Sequence, residues 1–283
     1  MRRLFRTAAV LCATFAAPAL RAQQPVTIDF SEYACSEATQ PCEYQATTGN
    51  PVTSKGFDFL DRYSILATEG TNSLGTWSNN PSNLGYVNRP SNLGSSTALF
   101  APGNGDVLEM YTHSGRNFDL YSMDVAGLFR QSSISPPLGA PTTFNMYFQY
   151  FSSYTSWYNG TPDGDLYASV SPGTVVNGDR VPLLRTLDFS QPLGTISNGV
   201  YLQWLDGRPS DLQGGGIFGI QWIQGSLSGF DATGAPVFAT GSGRAHQFTN
   251  VVAAVVPEPG TFALAGAGLA LVVGAGLRRR RAA

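Results

Sequence analysis

The sequence predicts an all-β protein, a single β-sandwich of jelly-roll type, and three observations carry that prediction. Gly, Pro, Asn and Ser break up the body of the chain roughly every ten residues, and the segments between the breaks have an apolar period near two. No segment outside the two ends repeats with the 3.6-residue period of a helix. A chain of 283 residues with 42% hydrophobic content has enough apolar surface to build a proper core, and its 13% charged content, low for a soluble domain, suits an exported β-protein.

Taken along the chain, the first candidate strands are VTIDF from Val26, GFDFL from Gly56, TALFA from Thr97 and DVLEMY from Asp106. In NFDLYSMDV, from Asn117, the apolar phase slips from Phe118 and Leu120 to Met123 and Val125, which predicts a β-bulge near Tyr121. TFNMYFQYF, from Thr143, places Phe144, Met146, Phe148 and Tyr150 on one face. After DLYASV from Asp165 and GVYLQWL from Gly199, the segment GIFGIQWI, from Gly216, aligns Phe218, Ile220 and Trp222, and HQFTNVV from His246 closes the series. So many short strands between residues 23 and 255 argue for one sandwich domain. The pentapeptide PSNLG occurs at Pro81 and again at Pro90. Two copies are too few for a repeat architecture, and the stretch reads as a long surface loop, solvated or ligand-bearing.

The two ends read as targeting segments. Residues 1–22 carry Arg2, Arg3 and Arg6 before an apolar run and then small residues, the layout of a secretory signal peptide cut after Ala22 or Ala19. Partners at this stage would be the secretion translocon and signal peptidase. Residues 256–283 hold Val256, Pro257, Glu258 and Pro259, then an uncharged apolar stretch over 261–277, then Arg278, Arg279, Arg280 and Arg281. As a helix the stretch would cover about 25 Å, a marginal transmembrane span, and the arginines would stay on the cytoplasmic side.

That order of Pro-Glu-Pro, apolar span and terminal arginines resembles the PEP-CTERM sorting tail of Gram-negative bacteria, over the tail alone. The resemblance implies processing by exosortase, a transient inner-membrane anchor through the tail, and delivery to the cell surface or an exopolysaccharide-rich extracellular matrix such as that of a biofilm.

Without the two targeting segments, the chain keeps 18 Asp plus Glu (19 less Glu258) against 9 Lys plus Arg (17 less the four arginines at each end), a net of about −9. Such a balance excludes nucleic acid as a natural partner. Cys35 and Cys42, in ACSEATQPCEY, flank a turn-forming Gln-Pro in an exported chain and are expected to form a disulfide.

Sites of chemistry are few. His113 and His246 are the only histidines, and neither lies in a hydrolase or zinc motif. The acids supply carboxylate pairs for a secreted hydrolase acting on matrix polysaccharide, yet no spacing singles out an acid and a nucleophile. No catalytic residue and no obligatory cofactor is therefore expected. Asp163 and Asp165, in NGTPDGDLY, offer oxygen ligands for calcium, although turn chemistry explains Pro-Asp-Gly equally well. The richest patch is YFQYFSSYTSWY, with seven aromatics from Tyr147 to Tyr158. Tyr154, Trp157 and Tyr158 fall in its Ser/Thr-rich loop, where rings either stack on sugar faces or fold back to cap the sandwich. The expectation is an exported, non-enzymatic cell-surface protein with these three residues as candidates for carbohydrate binding to exopolysaccharide.

Overall fold

Alternation of apolar and polar side chains needs two buried faces to satisfy it, and the described residues supply them as two large antiparallel sheets. The structure, a computed structural model, describes residues 24–34, 42–45, 50–64, 73–77, 86–87, 90, 92–94, 97–101, 106–127, 129–130, 144–170, 173–176, 179–189, 196–197, 200–204, 212, 216–224, 227–230, 236–238 and 246–256. In chain order the strands are β1 (Val26–Ile28), β2 (Cys42–Gln45), β3 (Val52–Ser54), β4 (Phe57–Ser64), β5 (Ser73–Trp77), β6 (Tyr86–Val87), β7 (Ala98–Ala101), β8 (Asp106–Thr112), β9 (Phe118–Gly127), β10 (Phe129–Arg130) and β11 (Phe144–Phe151). There follow β12 (Gly164–Val170), β13 (Gly173–Val176), β14 (Asp179–Pro182), β15 (Arg185–Asp188), β16 (Ile196–Ser197), β17 (Val200–Trp204), β18 (Gly219–Gln224), β19 (Leu227–Phe230), β20 (Pro236–Phe238) and β21 (His246–Val255). Among the described residues the α-helix is α1 (Tyr154–Asn159), which joins β11 to β12.

The eight-stranded sheet has the order β16-β17-β12-β11-β18-β8-β4-β3, and the seven-stranded sheet the order β15-β9-β21-β7-β5-β2, with β1 also paired to β21; β6–β10, β13–β14 and β19–β20 are separate two-stranded ribbons. Between them lies one buried cluster. Phe57, Phe59, Leu108, Met110, Met146, Phe148, Tyr150, Ile220 and Trp222 come from the first sheet; Phe118, Leu120, Met123, Val125 and Phe248 come from the second. The sheets meet through edge-on rings: Phe57 with Phe118 at 5.3 Å, Trp222 with Phe248 at 5.3 Å, and Phe30 against both Phe59 at 4.9 Å and Phe248 at 5.6 Å. Such pairs each add about 0.5–1.5 kcal/mol beyond the area they bury. Trp222 also donates from Nε1 to His246 Nε2 at 3.0 Å across the core. The accepting nitrogen must lack a proton, so His246 carries its proton on Nδ1.

The phase slip in β9 is a bulge, as expected. Ser122 pairs with Val252 and Leu120 with Ala253, which leaves Tyr121 as the extra residue. Between Thr249, opposite Asp124, and Val252 the partner strand carries an irregularity of its own, and Asn250 there adopts φ 47. The extra residues let β9 turn Phe118 and Leu120, then Met123 and Val125, into the same core.

Three expectations change. Phe218 does not join Ile220 and Trp222 in the core; its neighbour Ile217 does, bridging to Phe118, and Phe218 turns outward instead. The second PSNLG copy is not simply a solvated loop: Leu93 packs with Ala98, Phe100, Ala126 and Leu184, while the Asn92 side chain donates to the Leu184 carbonyl (3.1 Å) and accepts from its N–H (2.7 Å). The first copy lies outside the described residues. Finally, the segment read as an aromatic loop contains α1. Among the described residues no helix is long and apolar enough to cross a membrane; the signal segment 1–22 and the span 261–277 lie outside them.

Candidate functional site

The aromatic segment folds as it does because of three small residues. Ser153 is extended and caps the first turn, its Oγ accepting from Ser156 N–H at 3.2 Å, while Ser156 Oγ accepts from Ser153 N–H at 3.3 Å. Gly160, at φ 64, stops the helix, its N–H bonding to Trp157 and Ser156 carbonyls in the left-handed geometry glycine tolerates. Below this cap, Asp163 accepts from the Ser152 N–H at 2.7 Å and its hydroxyl at 3.0 Å, which ties the end of the helical connection to its beginning.

A six-residue helix puts positions 154 and 158 one turn apart on one side and position 157 on the next row. The three candidate rings are therefore divided. Tyr154 and Tyr158 stack on each other, centroids 6.0 Å apart and planes 28° apart, and are 62% and 76% exposed. Trp157 turns down onto the outer face of the eight-stranded sheet. It meets Phe151 edge-on at 4.9 Å, Tyr111 at 6.0 Å and Phe218 at 6.2 Å. Its six-membered ring lies over Gly219 so closely that a Cβ there would come within 2.4 Å of it. Phe218 props Tyr154 edge-on at 5.5 Å. The three rings, neighbours in sequence, are divided by the fold: Trp157 is a foundation and the tyrosines are a platform.

The same end of the molecule collects the other notable groups. The β3–β4 turn, with Lys55 at φ 51, bonds to the β8–β9 turn through the His113 N–H and the Gly56 carbonyl (2.9 Å). Exposed His113 contacts Asp58 through Nδ1 at 3.0 Å, and Thr53 Oγ donates to the same carboxyl at 2.6 Å. Asp58 and Glu109 flank Tyr111 on the outer face. Burial, then the negative charges of Asp58 and Glu109, raise the Tyr111 phenol above its ordinary value. Both carboxyls are nearly inaccessible, at 4% and 2% exposure.

Val256, the first residue of the expected tail, is docked here too. Its N–H donates to the Asn117 carbonyl at 2.8 Å, and the Asn117 side chain donates to the Ser152 carbonyl at 3.1 Å, at the threshold of α1. A Cβ on Gly216 would lie 2.8 Å from Val256 Cγ2, so the Val256 side chain is packed against the chain rather than trailing from it.

The remaining candidates do not assemble a ligand or metal site of their own. Asp163 is engaged with Ser152, whereas Asp165 sits in β12 opposite Gln149; among the described residues no three His, Cys, Asp or Glu side chains stand together to hold a metal ion. Cys42 belongs to β2, opposite Thr76, but its side chain and the whole of Cys35 lie outside the description, as do Pro257 to Pro259 and Arg278 to Arg281. The helix itself had a legible signal in Ser153, Ser156 and Gly160. It was missed because serine replaces the glutamate usual at the third position of a capping box.

Residues 255–281 match the PEP-CTERM protein-sorting motif. The match implies an exported protein, sorted to the cell envelope or surface, with exosortase as its processing partner. No curated protein matches the chain.

Proposed function

We propose that the chain is a non-enzymatic surface or matrix protein whose sandwich binds exopolysaccharide after its sorting tail has been processed from the inner membrane. The observation that carries the ligand reading is the stacked, exposed pair Tyr154 and Tyr158, held by a capped helix and underlain by Trp157 and Phe218. The two tilted, stacked phenol rings offer flat faces to sugar C–H groups and hydroxyls at their rims, and the neighbouring Thr155 and Asn159 supply hydrogen-bonding partners. Preorganisation lowers the entropy lost on binding. The passage of successive strands from one sheet to the other, β7 to β8, β8 to β9 and β9 to β11, supports a jelly-roll reading of the sandwich.

The alternative, a hydrolase acting on the same polysaccharide, would draw on Asp58 and Glu109. Their burial, and the engagement of Asp58 by Thr53 and His113, support a structural role for them instead. The test is binding of residues 23–256 to the host's exopolysaccharide, with reducing-end release measured in the same samples. Retention that weakens several-fold on Tyr158→Ala without reducing-end release is expected. Steady reducing-end release, abolished by Asp58→Asn, would overturn the binding reading in favour of the hydrolase.

A further inference from the structure

We infer that the α1 end of the sandwich is a membrane-facing surface in the precursor, and that Tyr154 and Tyr158 rest against the lipid headgroups until the tail is cut. The inference rests on the anchored-tail reading above. Its geometric basis is the docking of Val256: the chain leaves the folded body at Asn117, one hydrogen bond from the carbonyl that precedes the α1 cap. From Val256 to Thr261, where the uncharged stretch begins, there are five residues, which span at most about 18 Å when fully extended. Roughly 5–7 Å of that is taken up by the headgroup layer. No tether this short lets the sandwich turn its other end to the bilayer.

Chain direction strengthens the point. β1 runs antiparallel to β21 with Val26 opposite Ala253, so Gln24 and Pro25 lie toward the same end. With the arginine cluster retained on the cytoplasmic side, the sandwich lies on the outer side of the inner membrane, its α1 end downward. What that end presents fits an interface. Tyrosine, with an apolar ring and a polar rim, is enriched at membrane–water boundaries, and these two are the large exposed apolar side chains among the described residues. The adjoining turns carry Lys55 and Arg116, two of the cations of a net-acidic body, complementary to anionic headgroups.

The test uses the signal-cleaved precursor with its tail intact, residues 23–283, reconstituted in vesicles of phosphatidylethanolamine and phosphatidylglycerol. A photoreactive p-benzoylphenylalanine replaces Tyr158 in one preparation and Ser169, at the opposite end of β12, in another. Covalent phospholipid adducts are counted by mass. Position 158 is expected to give at least five-fold more adduct than position 169, and a twenty-residue Gly/Ser insertion between Val256 and Pro257 is expected to remove most of that difference. Equal labelling at the two positions, or labelling at 158 that ignores the insertion, overturns the inference while leaving the tail's role intact. Failure of the chain to float with the vesicles overturns the anchored-tail reading and this inference with it. Glycan binding is measured on the released 23–256 chain, so its loss counts against the ligand reading alone.

Discussion

Trp157 and Tyr158 are neighbours in sequence and opposites in duty. Trp157 closes an aromatic cluster over Gly219, so Trp157→Ala should cost about 3 kcal/mol, read as a clear fall in thermal midpoint, and weaken ligand binding only through lost support. Tyr158→Ala removes a ring that is mostly in water and should change stability by about 0.5 kcal/mol or less, while losing a stacking contact of about 1 kcal/mol, a five-fold weaker dissociation constant. A Tyr158 variant that melts early, or binds with full affinity, would show that the platform is structural. Gly219→Ala should resemble Trp157→Ala, because the new methyl occupies the indole's seat. Tyr111 gives a pH signature. Its folded phenol pKa is raised by burial and by Asp58 and Glu109, so its contribution to stability is fully present below the unfolded value of about 10 and is lost as pH rises through the folded value. Tyr111→Phe should flatten the alkaline fall in stability; an unchanged pH profile would contradict this assignment.

Strands and helix show how local rules and packing divide the work. α1 is shorter than two turns and has little intrinsic stability, so its caps matter. Ser153→Ala should cost about 1 kcal/mol and loosen the tyrosine pair, lowering glycan affinity without touching a ring. The double irregularity between β9 and β21 depends on Asn250 in the left-handed region, with its amide donating to Asp124 at 2.8 Å. Asn250→Val should destabilise by about 2–3 kcal/mol, from the β-branched side chain at positive φ and the lost hydrogen bond, measured by denaturant titration. A neutral result would mean the strand register relaxes without cost.

In the molecule as a unit, the position of the tail exit links processing to exposure of the platform. Mature protein recovered from the host surface should lack Arg278 to Arg281 by intact mass, and Pro257→Ala with Glu258→Ala should leave uncut precursor in the inner membrane. Vesicle-anchored precursor should bind glycan several-fold more weakly than the released chain, because the tyrosine pair faces the bilayer. Cys35 and Cys42, expected to be joined once outside reducing conditions, should resist thiol labelling in denatured, unreduced protein; two reactive thiols would remove the disulfide from the account.

Much of this was legible in residues alone. Alternation in Met146, Phe148 and Tyr150 and the slip at Tyr121 specified faces and a bulge, because a strand's period is two and every departure from it has to be absorbed locally. The sorting tail was readable because Pro-Glu-Pro, an apolar run and arginines act through linear order, without needing a fold. The division of Tyr154, Trp157 and Tyr158 was not readable, since it depends on Gly219 and Phe218, some sixty residues away, arriving beneath the helix. Nor was the docking of Val256 on Asn117, or the convergence of tail exit and tyrosine pair at one end. Those contacts are made by strands distant in sequence, and only the pairing of the sheets brings them within a hydrogen bond of each other.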